Sequence, residues 1–223
     1  NLKHFNESRW KYDKSFFNII KKKYKNEAIL AGSKILNDRF KGLNAPDKDI
    51  DIEGIKLSKI KKIKFLENYD KKYICNYFNW DISKPIGVIF ANDLTDGLFC
   101  CTWGIHRDNY IWLKEIINYA SKNKNINWLV KSHPSDFKNE GKLKTKNLFE
   151  NNLYPENIKF FPENWGRKKL HKIVDIIFTN YGSAGYEYPA MGIPAVISSE
   201  SNYYGLNIAY ETHTDKELKK MVM

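Results

Sequence analysis

Two short stretches of this sequence carry residue types and spacings suited to holding an anion. The first is Thr179-Asn180-Tyr181-Gly182-Ser183-Ala184-Gly185-Tyr186-Glu187, followed by Gly192-Ile193-Pro194-Ala195. Here an apolar run passes through small residues into a helix start. Free backbone N–H groups of Ser183, Ala184 and Gly185 can face a phosphate there, close to the positive end of the helix dipole. The Ser183 hydroxyl adds a donor. Glu187, four residues further and on the same face, suits hydroxyl groups of a ribose or sugar rather than phosphate, which would repel it. The plainer reading of the same residues is a Ser helix cap with glycines that allow tight helix–sheet packing. The second stretch is Trp128-Leu129-Val130-Lys131-Ser132-His133-Pro134. A histidine at a strand end, held extended by the following proline, can offer an imidazole N–H to an anionic oxygen, with Lys131 adding charge. A single loop histidine is equally compatible with an ordinary surface role.

A third segment, from Asn92 to Arg107, gathers Asp93, Asp96, His106 and Arg107 beside Gly97 and Gly104. In a cleft these groups supply candidates for acid–base work and for binding an acceptor or a departing phosphate. The competing reading is turn chemistry for the aspartates and a helix N-cap for Asp108.

The elements that must position these residues follow from periodicity. From Pro85 onward short apolar runs alternate with helical patterns: strand 86–91, helix 109–119, strand 126–131, a weak helix at 143–151, strand 158–161, helix 165–172, strand 174–179, helix 184–191 and strand 194–198. Such alternation predicts an α/β fold, a Rossmann-like doubly wound parallel sheet. Ligands of such sheets bind beyond the carboxyl ends of the strands, which is where the three segments fall. Residues 1–84 read differently, as a basic helical region. Apolar residues from Phe16 to Phe40 recur at helical spacing with an interruption at Gly32-Ser33, a break follows at 42–46, and a second helical pattern runs from Ile60 to Trp80. The expected domains are therefore 1–84 and 85–223.

The chain has 223 residues, 42% hydrophobic and 15% aromatic, enough for a substantial core and too apolar for disorder. No apolar stretch approaches the roughly 18 residues of a membrane-spanning helix. The ends, Asn1 and Met223 within a helical pattern, suggest a piece of a longer protein. Cys75, Cys100 and Cys101 lack zinc-type spacing, which favours a reduced, cytoplasmic chain and argues against a metal site. The net charge of +11 is uneven: residues 1–84 hold 20 Lys+Arg against 11 Asp+Glu, and residues 85–223 hold 17 against 15. Runs such as Lys21-Lys22-Lys23 and 59–64 (KIKKIK) suit an anionic membrane surface, or form a solvated Lys-rich face. Scarce arginine and the absence of interleaved aromatics on a sheet argue against nucleic acid as partner.

The stretch from about Pro85 to Tyr210 resembles the C-terminal, nucleotide-binding domain of GT-B glycosyltransferases of the bacterial capsule polysaccharide kind, a group that includes Kdo transferases and, more distantly, sialyltransferases. The resemblance rests on Asn127 to Pro134 and on Thr179 to Glu187 with Gly192 to Ala195. It implies that His133 and Ser183 bind the phosphate and ribose of a nucleotide-activated sugar. It further implies that Glu187 binds a hydroxyl, and that Tyr203-Tyr204-Gly205 closes over the nucleotide, with Tyr204 in contact. It implies a polysaccharide or glycolipid acceptor, no cofactor beyond the donor substrate, and an inverting displacement with no metal. No Asp-x-Asp stands at a strand end; Asp49-Ile50-Asp51 lies in the helical region. The catalytic base of the related enzymes lies in an N-terminal Rossmann domain, of which residues 1–84 would be only the helical end plus a connection, so the base is either missing from this chain or in the 92–107 segment. CDP-polyol phosphotransferases, UDP-sugar epimerases and a non-catalytic nucleotide-binding module remain compatible with the same motifs.

Overall fold

The computed structural model describes residues 14–40, 66–95, 104–137, 144–150 and 154–223. At its centre is a six-stranded sheet in which every pairing is parallel: β1 (Ile86–Phe90), β2 (Asn127–Lys131), β3 (Ile158–Phe160), β4 (Ile176–Thr179), β5 (Ala195–Ile197) and β6 (Tyr210–Glu211). The spatial order is β3-β2-β1-β4-β5-β6, so the chain reverses its direction of travel between β1 and β4. Parallel strands need long crossovers, and the helical segments between the apolar runs supply them.

Successive strand residues feed two separate cores. Ile86, Val88, Leu129, Ile177 and Ala195 face one side, while Ile89, Trp128, Val130, Phe178 and Val196 face the other. That alternation, with apolar residues on both faces, is why the runs carry no polar period. Gly87 sits opposite Trp128 in the register, and a Cβ on it would meet the indole ring at 2.5 Å. The strand therefore needs a glycine to let that ring lie across it.

The first face is covered by α3 (Lys71–Phe78), the 3₁₀ turn Arg167–Lys172 and the short α6 (Ala184–Glu187). The second is covered by α4 (Asn109–Lys122), α5 (Thr145–Glu150) and α7 (Asp215–Val222). Asp108 caps α4 by accepting from the Ile111 N–H at 2.7 Å, as the N-cap reading expected. Thr214 caps α7 through the Glu217 N–H, and Asn123 clamps its other end through the Val222 and Met223 carbonyls. The strand β6 escapes the sequence reading because two half-exposed residues make no apolar run.

Residues 66–80 are built into the first core. Tyr69, Ile74, Cys75 and Trp80 are buried there, and Tyr69, Tyr73, Tyr77 and Phe78 gather round Trp165 with ring centroids 5.0 to 6.0 Å away. Leu66 and Gly166 lock the two segments, with the Leu66 N–H donating to the Asn164 carbonyl and the Gly166 N–H to that of Leu66. The packed α/β unit thus includes residues before 84. Ahead of it lie α1 (Lys14–Lys23) and α2 (Lys25–Phe40). The expected interruption at Gly32-Ser33 is not there: α2 runs through both, and the chain bends at Tyr24 instead. One glycine costs a helix only about 1 kcal/mol, too little to break sixteen residues of pattern. The lysine run 59–64, the 42–46 break, Asp49, Asp51, Cys100 and Cys101 lie outside the described residues. Among the described residues, no helix is long and apolar enough to cross a membrane.

Candidate functional site

The sheet register aligns Lys131, Phe90, Thr179, Ile197 and Glu211 in one row across five strands. The segments that follow β1, β2 and β4 therefore leave the sheet side by side. The strand order reverses between β1 and β4, where the loops diverge to opposite faces, the position at which sheets of this kind bind ligands.

Beneath these strand ends lies a floor of buried amide and hydroxyl groups. Asn92 Oδ1 accepts from the Thr179 hydroxyl and the Asn180 N–H, both at 3.2 Å. Asn180 Nδ2 donates to Asn109 Oδ1 at 2.9 Å, and the Ser199 hydroxyl donates to Asn180 Oδ1 at 2.6 Å. Asn109 Nδ2 in turn donates to the Asp93 carbonyl at 2.8 Å and to the Tyr181 hydroxyl at 3.1 Å. These bonds join the ends of β1, β4 and β5 to the start of α4. Each polar group buried here has a partner, which makes the loop geometry rigid.

The Gly182–Glu187 turn rests on that floor. The Gly182 N–H donates to Thr179 Oγ1 at 3.3 Å, and the Gly185 N–H to the Gly182 carbonyl at 3.0 Å. The Gly185 amide is thereby occupied, contrary to its expected place among the phosphate donors. Its true requirement is steric. The Tyr203 hydroxyl, which donates to the Gly182 carbonyl at 2.7 Å, fills the space a Cβ would take, with Ile197 behind it. Among the three amides expected to face a phosphate, those of Ser183 and Ala184 remain. The predicted helix 184–191 is divided: α6 ends at Glu187 and a 3₁₀ turn covers Pro189–Met191. Proline at 189 has no N–H to continue the ladder.

Ser183 and Glu187 meet a residue that lies outside every motif. Arg39, in the last turn of α2, places Nη2 3.1 Å from Ser183 Oγ and Nε 2.8 Å from Glu187 Oε1. Glu187 is only 2% exposed and Arg39 16%. The Ser183 side chain makes no capping bond to α6. The carboxylate expected to meet ligand hydroxyls is thus compensated by a guanidinium 148 positions earlier in sequence, as a buried charge must be. Phe40 anchors the same turn, its ring 5.4 Å from His171 and 6.3 Å from Tyr188, with the Arg167 guanidinium 5.7 Å above it. The available signals in sequence were the scarcity of arginine and the aromatic residue beside Arg39.

His133 is half-buried just beyond β2, and its carbonyl accepts from the Asp136 N–H. Lys131 lies over the Phe161 ring at 5.7 Å. Asp136 is a further carboxylate in this corner. It is 6% exposed and accepts from the Thr145 N–H at 3.0 Å. Burial pushes its pKa up, and the nearby Asp93 charge adds to that, against the bond from Thr145. Asp93 makes the anticipated turn, accepting from the Thr95 N–H and hydroxyl at 2.9 and 2.7 Å. Asp96 lies outside the described residues.

His106 goes elsewhere. Its Nε2 is 3.2 Å from Asp215 Oδ1, whose other oxygen accepts from the Tyr119 hydroxyl at 2.5 Å, so it joins α4 to α7. Arg107 is 86% exposed beside Asp108. Tyr204 is partly exposed against His213, while its neighbour Tyr203 reaches the Gly182 turn.

These features define a doubly wound α/β domain with a buried polar network at the reversal of strand order. No protein-family model and no curated protein sequence matches the chain. Among solved structures it is similar in fold to Thermosulfurimonas dismutans KpsC, beta Kdo 2,4 transferase. That similarity has 14% identity and a TM-score of 0.48, and covers 80% of this chain and 55% of the other. A second similarity is to Thermosulfurimonas dismutans KpsC, beta Kdo 2,7 transferase, with 14% identity, a TM-score of 0.42, and coverage of 89% and 56%. The chain spans about half the length of these solved chains.

Proposed function

We propose that this chain is the donor-binding part of a GT-B glycosyltransferase that uses a nucleotide-activated sugar, with a CMP-linked donor and a capsule or surface polysaccharide product as the specific expectation. The observation that carries the reading is the common row of strand ends. It brings His133 after β2, the Ser183 turn after β4 and Asp93 after β1 to one edge of the sheet, on either side of the strand reversal. The two motifs that resemble the family thus lie in the region where such sheets bind nucleotides.

In this reading the Ser183 hydroxyl, the Ser183 and Ala184 amides and the His133 imidazole receive the donor phosphate and stabilise the charge that develops as the glycosidic bond to it breaks. An acceptor hydroxyl attacks the anomeric carbon and gives its proton to a carboxylate. Asp93 and Asp96 are the candidates in this chain. Phosphate charge is met by these donors and by cationic side chains, without a divalent ion. His106 is set aside in this reading, because its Nε2 pairs with Asp215, which Tyr119 also bonds, in the α4–α7 layer.

Thermal-shift titration with CMP, CDP, UMP, UDP and GDP tests the reading, since a ligand bound only by the folded state raises the midpoint. Stabilisation by a cytidine nucleotide, lost in His133→Ala with the unliganded midpoint retained, is the expected result. Stabilisation by UDP alone moves the donor class to UDP-sugars, and no response to any nucleotide removes the reading. Product analysis then separates sugar transfer from polyol-phosphate transfer and epimerisation.

A further inference from the structure

Arg39 stands in the middle of the residues assigned to the phosphate, yet it comes from the basic helical region that no motif touches. Its position is specific. Nothing along α2 is buried, and the half-buried residues Leu36, Asp38, Arg39 and Phe40 lie in or next to its last turn, so the helix meets the domain at that end. The side chain spans Ser183 Oγ and Glu187 Oε1 with two different nitrogens. A guanidinium has five N–H donors in a fixed plane. Nη2 donates to Ser183, while Nε is paired with the Glu187 charge at 2.8 Å without a hydrogen bond to it, and the side chain is 16% exposed. A second guanidinium is adjacent: Arg167 Nη2 donates to the Arg39 carbonyl at 3.4 Å. A planar cation fixed by a buried carboxylate, beside a serine hydroxyl at a strand-end turn, is matched to a phosphate oxygen pair.

We propose that Arg39 is a ligand-binding residue that contacts the phosphate of the nucleotide, and that Glu187 is the positioning residue that holds its guanidinium plane over Ser183. The proposal rests on the nucleotide reading above and assigns Glu187 to the protein's own arginine rather than to ligand hydroxyls. It makes the site composite, with its cation supplied across more than 140 residues of sequence.

The test is calorimetric titration of the full chain with CMP against cytidine and UMP against uridine. The nucleoside reports on the rest of the pocket, so the ratio of nucleotide to nucleoside affinity isolates the phosphate contact. Arg39→Met is expected to lower nucleotide affinity about ten-fold or more with nucleoside affinity unchanged, as loss of a charge-assisted contact does. Arg39→Lys keeps charge without the fork and falls between. Glu187→Gln lowers the same ratio by loosening the guanidinium. Arg39→Met leaves Glu187 buried and unpaired, so the double variant Arg39→Met/Glu187→Gln is measured with it to preserve folding. An unchanged ratio in both, or an equal fall for nucleoside and nucleotide, overturns the assignment of Arg39 while leaving the nucleotide reading standing. Wild-type protein that binds none of the four probes overturns both.

Discussion

At the scale of single residues, what the turn demands of glycine is space. The tight approach of the Tyr203 hydroxyl leaves no room for a side chain at Gly185, so Gly185→Ala has to displace the tyrosine that holds the Gly182 carbonyl. Overpacking of this kind costs about 1–3 kcal/mol. The expected outcome is a lower urea midpoint together with weaker nucleotide stabilisation; an unchanged midpoint would show that Tyr203 moves freely. Asp136 gives a pH-dependent counterpart. Its folded-state pKa is raised, first by burial and then by Asp93, so its ionisation opposes folding. The stability it forgoes is fully present below the ordinary carboxylate pKa and is lost as pH rises through the folded value. Asp136→Asn keeps an acceptor for the Thr145 N–H and removes the charge. It is therefore expected to be more stable than wild type at pH 7, with the difference closing near pH 3 to 4. A constant difference across that range would refute the assignment.

At the scale of elements, helix α3 belongs to the sheet because of Trp165. The indole touches aromatic rings from both sides of the 69–78 segment and from Phe161, and the paired bonds between Leu66 and the 164–166 backbone fix their register. Truncating a buried Trp costs about 3–5 kcal/mol. Trp165→Ala is expected to show a loss of that order in denaturant titration and to release α3, seen as raised hydrogen exchange across 71–78 with β1 still protected. Equal exchange in both elements would mean that α3 and the sheet open together. The periodicity of 71–80 announced a helix here, but its partner, an isolated Trp in a short polar stretch, carries no sequence pattern of its own.

For the whole molecule, the core shared by residues 66–80 and the sheet sets where the chain can be cut. A chain of residues 66–223 retains Tyr69, Ile74, Cys75 and Trp80, whereas residues 85–223 leave their apolar partners bare. The first is expected to unfold in one cooperative transition by circular dichroism, and the second to lose that transition or aggregate. Equal midpoints for the two would show that the aromatic layer is dispensable. The cut at 66 also removes Arg39, so comparing nucleotide stabilisation of residues 66–223 with that of the full chain separates the contribution of the helical region from that of the sheet edge.

Much of the architecture was legible in the amino-acid sequence alone. Apolar runs of four to six residues bounded by turn formers mark the strands, helical spacing between them forces parallel crossovers, and parallel strands direct attention to the segments after β1, β2 and β4. These are local and periodic signals, and through them His133 and Ser183 were picked out as candidates. The tertiary structure alone decided how distant groups combine. Asn92, Asn109 and Asn180 read as three ordinary loop and helix-start residues until the strand order brings them together. His106, a candidate by its place in the 92–107 segment, pairs with Asp215, 109 positions later. Glu187 looked open to a ligand until α2 delivered Arg39. No periodicity records such pairings, because the stabilisation of a buried charge depends on what lies a few ångströms away in space, at any separation along the chain.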